Sequence, residues 1–334
     1  MTICAFETSC DETAVALLKD GHQLLSNVVA SQIKWHKAFG GVVPELASRM
    51  HAEKIHLCID KAFSEAQLKY QDIDAIGVTY GPGLEGALLV GISVAKSMAT
   101  VLNKPLIPIN HLHGHIYSSF YAETPPQFPF LCLLVSGGHT LLVHAKSHFD
   151  FELLGTTRDD ACGEAFDKVA RVLGLPYPGG PHIETLAKEG DDARYDFPRA
   201  MKRHPFEFSF SGLKTSVAQT AAKLGASLEE EKPHISASFQ KAVGDVLIQK
   251  SIEACQTLGL DRLVVCGGVM ANRKISDQFQ IACRKLGIEL VVPPLAYCTD
   301  NAAMIAMATH HYIEQGIQRP TSFTVTPNLK IDTL

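Results

Sequence analysis

One pattern of apolar runs and turns occurs twice along this chain, and a chain that repeats a folding unit is confined to few architectures. Residues 3–18 form two apolar runs around the polar turn ETSCDET, and residues 130–145 form two more around SGGHT, so each stretch predicts a β-hairpin. Residues 73–79, apart from Asp74, form a mainly apolar, β-branched run that is followed by Gly81-Pro82-Gly83 and a helical stretch over 85–102. In the same way residues 262–266 read as a short buried strand that ends at Gly267-Gly268 and leads into a helical stretch over 272–286. The order hairpin, helix, strand, glycine turn, helix, strand thus appears in two copies. It predicts a duplicated α/β architecture with two lobes, 1–107 (completed by a returning segment of about 301–334) and 108–300. A cleft is expected between them, with ligands at the carboxyl ends of the strands.

The second copy carries an insertion over about 175–232, rich in Pro, Gly and charge; it is too long for an ordinary connection and is expected to face a substrate. With 46% hydrophobic and 19% charged residues in 334, the chain can bury a large core, which excludes a disordered protein. The nine cysteines are odd in number and never in a CxxC spacing, the usage of a reduced cytoplasmic protein without a zinc-thiolate site. The start, MTICAFETSCDE, has no basic leader, and the longest apolar stretch, 87–95, falls short of a span, so no membrane association is expected. A net charge of -5 argues against nucleic-acid binding through the overall field. A local surface would have to serve, the best candidate being Arg199, Lys202, Arg203 and His204 with Lys214 nearby; a solvated loop is the plainer reading of that run.

Three glycine turns offer the backbone N–H groups and close approach that nucleotide phosphates need: Ser136-Gly137-Gly138 between two strands, Gly179-Gly180 after Pro178, and Gly267-Gly268 four residues before Asn272. None is a P-loop or a GxGxxG, and a Gly-Gly pair is often only a tight turn. Asp11 and Glu12 lie in the first hairpin turn, where turn geometry alone would explain an Asp. Asp167 lies in a helical stretch over 159–173, where an exposed, paired acid is the bland alternative. His111 and His115 are spaced i, i+4 and so share one helical face, with His113 pointing away. Fifteen histidines in 334 positions give about 0.7 such pairs by chance, so a third ligand is needed. Asp300, just before a helical run over about 301–315, is either that ligand or a helix N-cap. Two histidines and one carboxylate would suit Fe(II) or catalytic Zn.

Ten signatures, in order from residue 7 to 304, carry a resemblance: ETSCDET (7–13), GGVVPELASR (40–49), GPGLEGALLVG (81–91), HLHGH (111–115), LLVSGGHT (133–140), GEAFDK (163–168), YPGGP (177–181), FSFSGLKT (208–215), GGVMAN (267–272) and CTDNAAM (298–304). They resemble the bacterial TsaD proteins, relatives of the archaeal and eukaryotic Kae proteins, which transfer a threonylcarbamoyl group onto tRNA. The resemblance implies a duplicated actin-like ATPase fold (the ASKHA, ribonuclease H-like class). It also implies one iron or zinc ion per subunit on His111, His115 and Asp300. A nucleotide-linked substrate, threonylcarbamoyl-AMP with ATP or ADP as relatives, is implied at Leu134, Val135, Ser136, Gly137, Gly138, Asp167, Gly180 and Asn272. The reading of the glycine turns adds Gly267 and Gly268. By the same resemblance Asp11 and Glu12 are linked with activity, tRNA is the acceptor, TsaB and TsaE are partners, and a separate synthase supplies the adenylate in the cytoplasm.

The adenylate is a mixed anhydride that is already activated, so orientation and charge stabilisation would suffice and no Ser or Cys nucleophile is required. Two other classes stay open on sequence. A metallopeptidase would need the Glu of HExxH, where this chain has Leu112. A nucleotide-binding scaffold without chemistry of its own is allowed by the fold.

Overall fold

The computed structural model describes residues 1–317 and 322–333. The chain divides into two compact units, Met1–Pro125 with the described residues from Thr299 onward, and Pro126–Cys298. The boundary lies at Pro125, not at the 107/108 division read from the sequence, so the HLHGH segment belongs to the first unit.

The first unit contains β1 (Thr2–Glu7), β2 (Glu12–Lys19), β3 (Gln23–Ser31), α1 (Ile33–His36), α2 (Pro44–Ala66), β4 (Ala75–Gly81), α3 (Glu85–Leu102), β5 (Leu106–Asn110) and α4 (His111–Tyr117). The second unit follows with β6 (Phe130–Val135), β7 (Thr140–Ser147), β8 (Asp150–Thr156), α5 (Cys162–Val172), α6 (Gly179–Ala187), α7 (Ser211–Leu224), α8 (Leu228–Leu258), β9 (Arg262–Cys266), α9 (Arg273–Leu286) and β10 (Glu289–Val291), and α10 (Ala302–Glu314) returns to the first unit.

The duplication is borne out strand for strand. The first sheet has the order β3-β2-β1-β4-β5 and the second β10-β9-β6-β7-β8, which is the same order read from the other edge. In both, the first three strands are antiparallel neighbours and the last two join in parallel. Each sequence-predicted hairpin is thus part of a three-stranded meander. β1, β4 and β6 are buried at every position, as strands covered on both faces must be, and this is why they read as continuous apolar runs.

In the first unit Cys4, Phe6, Val15, Leu17, Ile76 and Val78 pack with Ile55, Phe63, Leu88 and Ile92 of α2 and α3. α10 packs on β1, β2 and β4, and Gly77 makes room for it: a Cβ there would sit 2.0 Å from Thr309 Oγ1. The second unit has its own core, in which Leu131, Leu133 and Val135 meet Phe166, Val169, Phe239, Val243, Val265 and Phe279.

The 175–232 insertion is partly helical, holding α6, α7 and the start of α8. Helix α3, which contains the 87–95 apolar stretch, is long and apolar enough, by length and composition alone, to cross a membrane. Its Ala87, Leu88, Gly91, Ile92, Ala95 and Ala99 are buried, the stripe of a helix lying on its sheet. All nine cysteines are free thiols.

Candidate metal centre and nucleotide-binding turns

α4 starts at His111 because Asn110 caps it, its side chain accepting from Leu112 N at 2.9 Å. One turn later His115 lies on the same face, with the two rings 4.7 Å apart and nearly perpendicular. Gly114, between them, lets α4 pack against α10: a Cβ there would meet Ile305 Cδ1 at 2.7 Å. Since α10 begins two residues after Asp300, this contact draws the carboxylate to the histidines. The cap of α10 is Asn301, whose side chain accepts from Met304 N at 3.1 Å, so Asp300 does not serve as the N-cap. His113 points away as expected, its ring nitrogens 2.6 Å from Tyr312 Oη and 2.7 Å from the Ile331 carbonyl.

His111, His115 and Asp300 offer ligand atoms all within 4.8 Å of one another. Asp300 Oδ1 lies 3.6 Å from His111 Nε2 and 3.2 Å from His115 Nε2. Ligands at metal distances of about 2.1 Å are separated by roughly 3.0–3.4 Å at tetrahedral or octahedral angles, a spacing that the two Asp300–histidine separations nearly meet. Both ring nitrogens of His115 are fully buried, and neither makes a hydrogen bond, Nε2 facing Asp300 Oδ1 at 3.2 Å. The lone-pair nitrogen of such a ring is costly unless something takes its lone pair, and a metal beside Nε2 would. The residues therefore fit a two-histidine, one-carboxylate centre.

Behind His111 stands a residue that the sequence reading missed. Glu7, fully buried at the end of β1, accepts from His111 Nδ1 at 3.0 Å, from Thr79 Oγ1 at 2.6 Å and from Ser9 N at 2.5 Å, while Ser9 Oγ is 3.1 Å from the same ring nitrogen. Burial alone would raise the Glu7 carboxyl, but the charge and hydrogen bond of His111 outweigh it and hold Glu7 low. Burial would likewise depress His111, and the Glu7 and Asp300 carboxylates together hold it high. The bond fixes the proton on Nδ1 and turns Nε2 toward Asp300, the usual outer-shell arrangement for a metal-bound histidine. A fully buried acid closing an apolar strand was the available signal.

Asp11 and Glu12 close the β1–β2 turn. Both carboxyls are raised, first by burial and then by neighbouring negative charge that includes Asp300; Glu12 is pushed up to about 8. Glu12 Oε1 accepts from Ser31 Oγ at 2.8 Å, and Oε2 is buried without a partner. His51 of α2 braces the turn, 2.8 Å from Thr13 Oγ1 and 2.9 Å from the Cys10 carbonyl. No carboxylate stands where HExxH needs one, since Leu112 is 3% exposed in the core.

The second unit holds the expected nucleotide residues. Leu134 and Val135 end β6, and Ser136-Gly137-Gly138 turn into β7, with open space where side chains at Gly137 or Gly138 would stand. The N-terminus of α5 reaches this turn, Gly163 N donating to Ser136 O at 3.1 Å; a Cβ at Gly163 would lie 2.7 Å from that oxygen. Gly267-Gly268 follow β9, the parallel neighbour of β6, so the two turns lie side by side.

Gly267 adopts φ 98 and ψ 163, and a Cβ there would meet Val135 O at 2.4 Å. Gly267→Ala should therefore destabilise the second unit by about 2 kcal/mol or more and lower its calorimetric Tm by several degrees. A wild-type Tm would show that the turn is not held this way.

Asp167 Oδ1 accepts from Gly179 N at 2.6 Å, fixing the α5–α6 connection, and a side chain at Gly180 would meet open space. Asn272 caps α9 by accepting from Ile275 N, and its amide donates to Gln240 Oε1 at 2.7 Å. Gln240 lines a pocket of about 300 Å³ with Glu184, Gly190 and Arg273, at the lower end of small-molecule sites. In the basic run, Arg199 is spent on Asp245, Asp196 and the Phe197 carbonyl, while Lys202 and Arg203 are exposed. Lys214 binds Asp160.

Two copies of one sheet topology, one unit with a His111, His115 and Asp300 cluster that fits a cation and the other with paired glycine turns, define a duplicated α/β protein of actin-like fold. Solved structures share this fold. A crystal structure of T. kodakarensis HypF superposes with a TM-score of 0.62 at 13% identity, covering 94% of this chain and 48% of that one. Component A of the (R)-2-hydroxyglutaryl-CoA dehydratase of Acidaminococcus fermentans gives 0.56 at 15% identity, covering 93% and 97%. The family model described as "TsaD: tRNA N6-adenosine threonylcarbamoyltransferase" matches residues 23–307. Over 333 residues the chain is 50% identical to the tRNA N6-adenosine threonylcarbamoyltransferase of Staphylococcus epidermidis, covering 99% of this chain and 97% of that one. The chain belongs to the TsaD family.

Proposed function

We propose that this chain transfers the threonylcarbamoyl group of threonylcarbamoyl-AMP to N6 of the adenine next to the anticodon in tRNAs reading ANN codons, releasing AMP. The observation that carries this reading is half-identity, over practically the full length of both chains, to a protein of that name. In the chemistry, the adenine N6 forms a bond to the carbamoyl carbon, the carbon–oxygen bond to the phosphate breaks, and AMP leaves with that electron pair. The N6 proton passes to a carboxylate, with Glu12 and Asp11 as acceptors.

His111, His115 and Asp300 hold one Fe2+ (or Zn2+), as a centre of this ligand type suits. The cation, when bound, supplies Lewis-acid polarisation of the carbamoyl oxygen. Leu134, Val135, Ser136, Gly137, Gly138, Gly180, Gly267 and Gly268 give backbone positions for the adenylate, and Asp167 and Asn272 set the segments that present them. TsaB, TsaE and the adenylate synthase complete the system in the cytoplasm, where nine free thiols would stay reduced.

Reconstitution with labelled threonine, tRNA and the partner proteins tests the reading; nucleotide binding without label on tRNA would leave only a scaffold. A raised carboxyl must lose its proton before it can act as a base, so the transfer rate of the metal-loaded protein should climb with pH and level off below about 8, because the cation offsets the Asp300 charge that helps raise Glu12. Glu12→Gln should remove that limb from the pH–rate profile, and an unchanged profile would take Glu12 out of the proton path.

A further inference from the structure

The GGVVPELASR signature is preceded by a segment, Lys34-Trp35-His36-Lys37-Ala38-Phe39, that the chemistry above does not use. Trp35, the only tryptophan in the chain, is 50% exposed and Phe39 is 65% exposed. These rings are not loose ends. The buried Gln32 and His36 pin the segment, with His36 Nε2 3.2 Å from Gln32 Oε1 and Nδ1 accepting from Val43 N at 3.2 Å. Trp35 N bonds back to Gln32 O at 2.9 Å, and Gly40, in the left-handed region at φ 68, ends the helical turns after Phe39. Neighbouring imidazole and amide are thus buried while much of two large rings is held in solvent, where apolar burial alone would not leave them.

Lys34 and Lys37 alternate with the rings and are exposed, and residues 31–43 contain no acid. The residues just before the segment are tied to the turn that carries Asp11 and Glu12, since Gln32 N donates to the Asp11 main-chain carbonyl at 3.0 Å and Ser31 Oγ donates to Glu12 Oε1. Lysines alternating with outward rings suit unpaired bases on a phosphate backbone, because every base has a face to stack and every nucleotide a charge to neutralise. A protein surface would not call for that alternation.

Resting on the tRNA activity proposed above, we infer that Trp35 and Phe39, flanked by Lys34 and Lys37, form a stacking platform that receives splayed anticodon-loop bases and brings the target adenine to Asp11 and Glu12.

The test uses the full chain and an anticodon stem-loop RNA of an ANN-reading tRNA. Binding should quench the emission of Trp35, and Trp35→Ala or Phe39→Ala should each weaken the RNA about tenfold. Loss of both lysines should flatten the salt dependence of log affinity by roughly 0.7 per phosphate contact. Metal content, thermal midpoint and adenine-nucleotide affinity of these variants should stay at wild-type values, which sets the effect apart from misfolding. In the reconstituted transfer assay, the KM for tRNA should rise by a similar factor in Trp35→Ala.

Stem-loop affinity unchanged in both ring variants would overturn the platform, as would loss of a protein partner's binding with the RNA affinity intact. If wild type fails to label tRNA while Trp35 emission still reports stem-loop binding, the transfer reading falls and the platform stands. If label appears with an unchanged KM in both ring variants, the platform falls alone.

Discussion

His111→Ala should yield a protein that carries no cation and labels no tRNA above background. The substitution removes one of three ligands, and it also strips Glu7 of its partner. A fully buried carboxylate that keeps only the neutral donors Thr79 and Ser9 has lost its charged partner, so the variant should unfold at lower temperature and Glu7 should take up a proton more readily. Asp300→Asn separates the two effects, because Asp300 is 23% exposed at its side chain and lies in the loop before Asn301 rather than in a strand. It should keep nearly wild-type stability while losing metal and transfer. Lewis-acid assistance is worth several kcal/mol, so transfer should drop on the order of 10³-fold in both variants. Elemental analysis beside the labelled-threonine assay checks this; a metal-free Asp300→Asn protein with full transfer would refute the role given to the cation.

Glu7→Gln and Glu7→Ala give the second large effect, at a residue that would not touch the ion. The glutamine keeps the shape and an acceptor for Thr79 but gives up the charge that holds the His111 proton on Nδ1. Metal affinity should fall about 10–100-fold, the usual consequence of losing an outer-shell carboxylate. The alanine also leaves Thr79 Oγ1, Ser9 N and His111 Nδ1 without their acceptor, at about 1–3 kcal/mol for each donor that stays dry, so it should be much less stable than the glutamine variant. Excess metal should restore transfer to Glu7→Gln but not to His111→Ala. The visible spectrum of the cobalt-substituted protein should shift in Glu7→Gln, a change that a merely structural carboxylate would not produce. Wild-type affinity and an unshifted spectrum would remove Glu7 from the centre.

The repeated unit was legible in the residues because its central strands are covered on both faces and its glycine turns interrupt apolar runs. The helix expected over 85–102 and the strand over 262–266 have those bounds in the structure. β3 and β8 were not legible. They belong to the three-stranded meanders but are covered less completely, so QLLSNVVAS and DFELLGT carry neither a clean alternation nor a continuous apolar run. The helices of the insertion were not legible because Pro and Gly dominate its ends, yet α6, α7 and the start of α8 lie within it.

At the site, the i, i+4 spacing placed His111 and His115 on one face, but their meeting with Asp300 depends on α10 packing against Gly114, a contact between residues nearly two hundred positions apart. Glu7 stayed hidden for a related reason. In sequence it is one acid after an apolar run; only the fold sets it against His111 and Thr79. The unit boundary at Pro125 follows from the same packing, which ties α4 to α10 and so to the first unit.

X-ray absorption at the metal edge, on protein purified without added metal and assayed in parallel, bears most directly on the cation held by His111, His115 and Asp300. One equivalent of a single metal, with two imidazole nitrogens and a carboxylate oxygen at about 2.0–2.2 Å and with transfer rising in step with occupancy, is the outcome required. Full transfer from a preparation with no metal, or a metal whose nearest neighbours are sulfur, would contradict it.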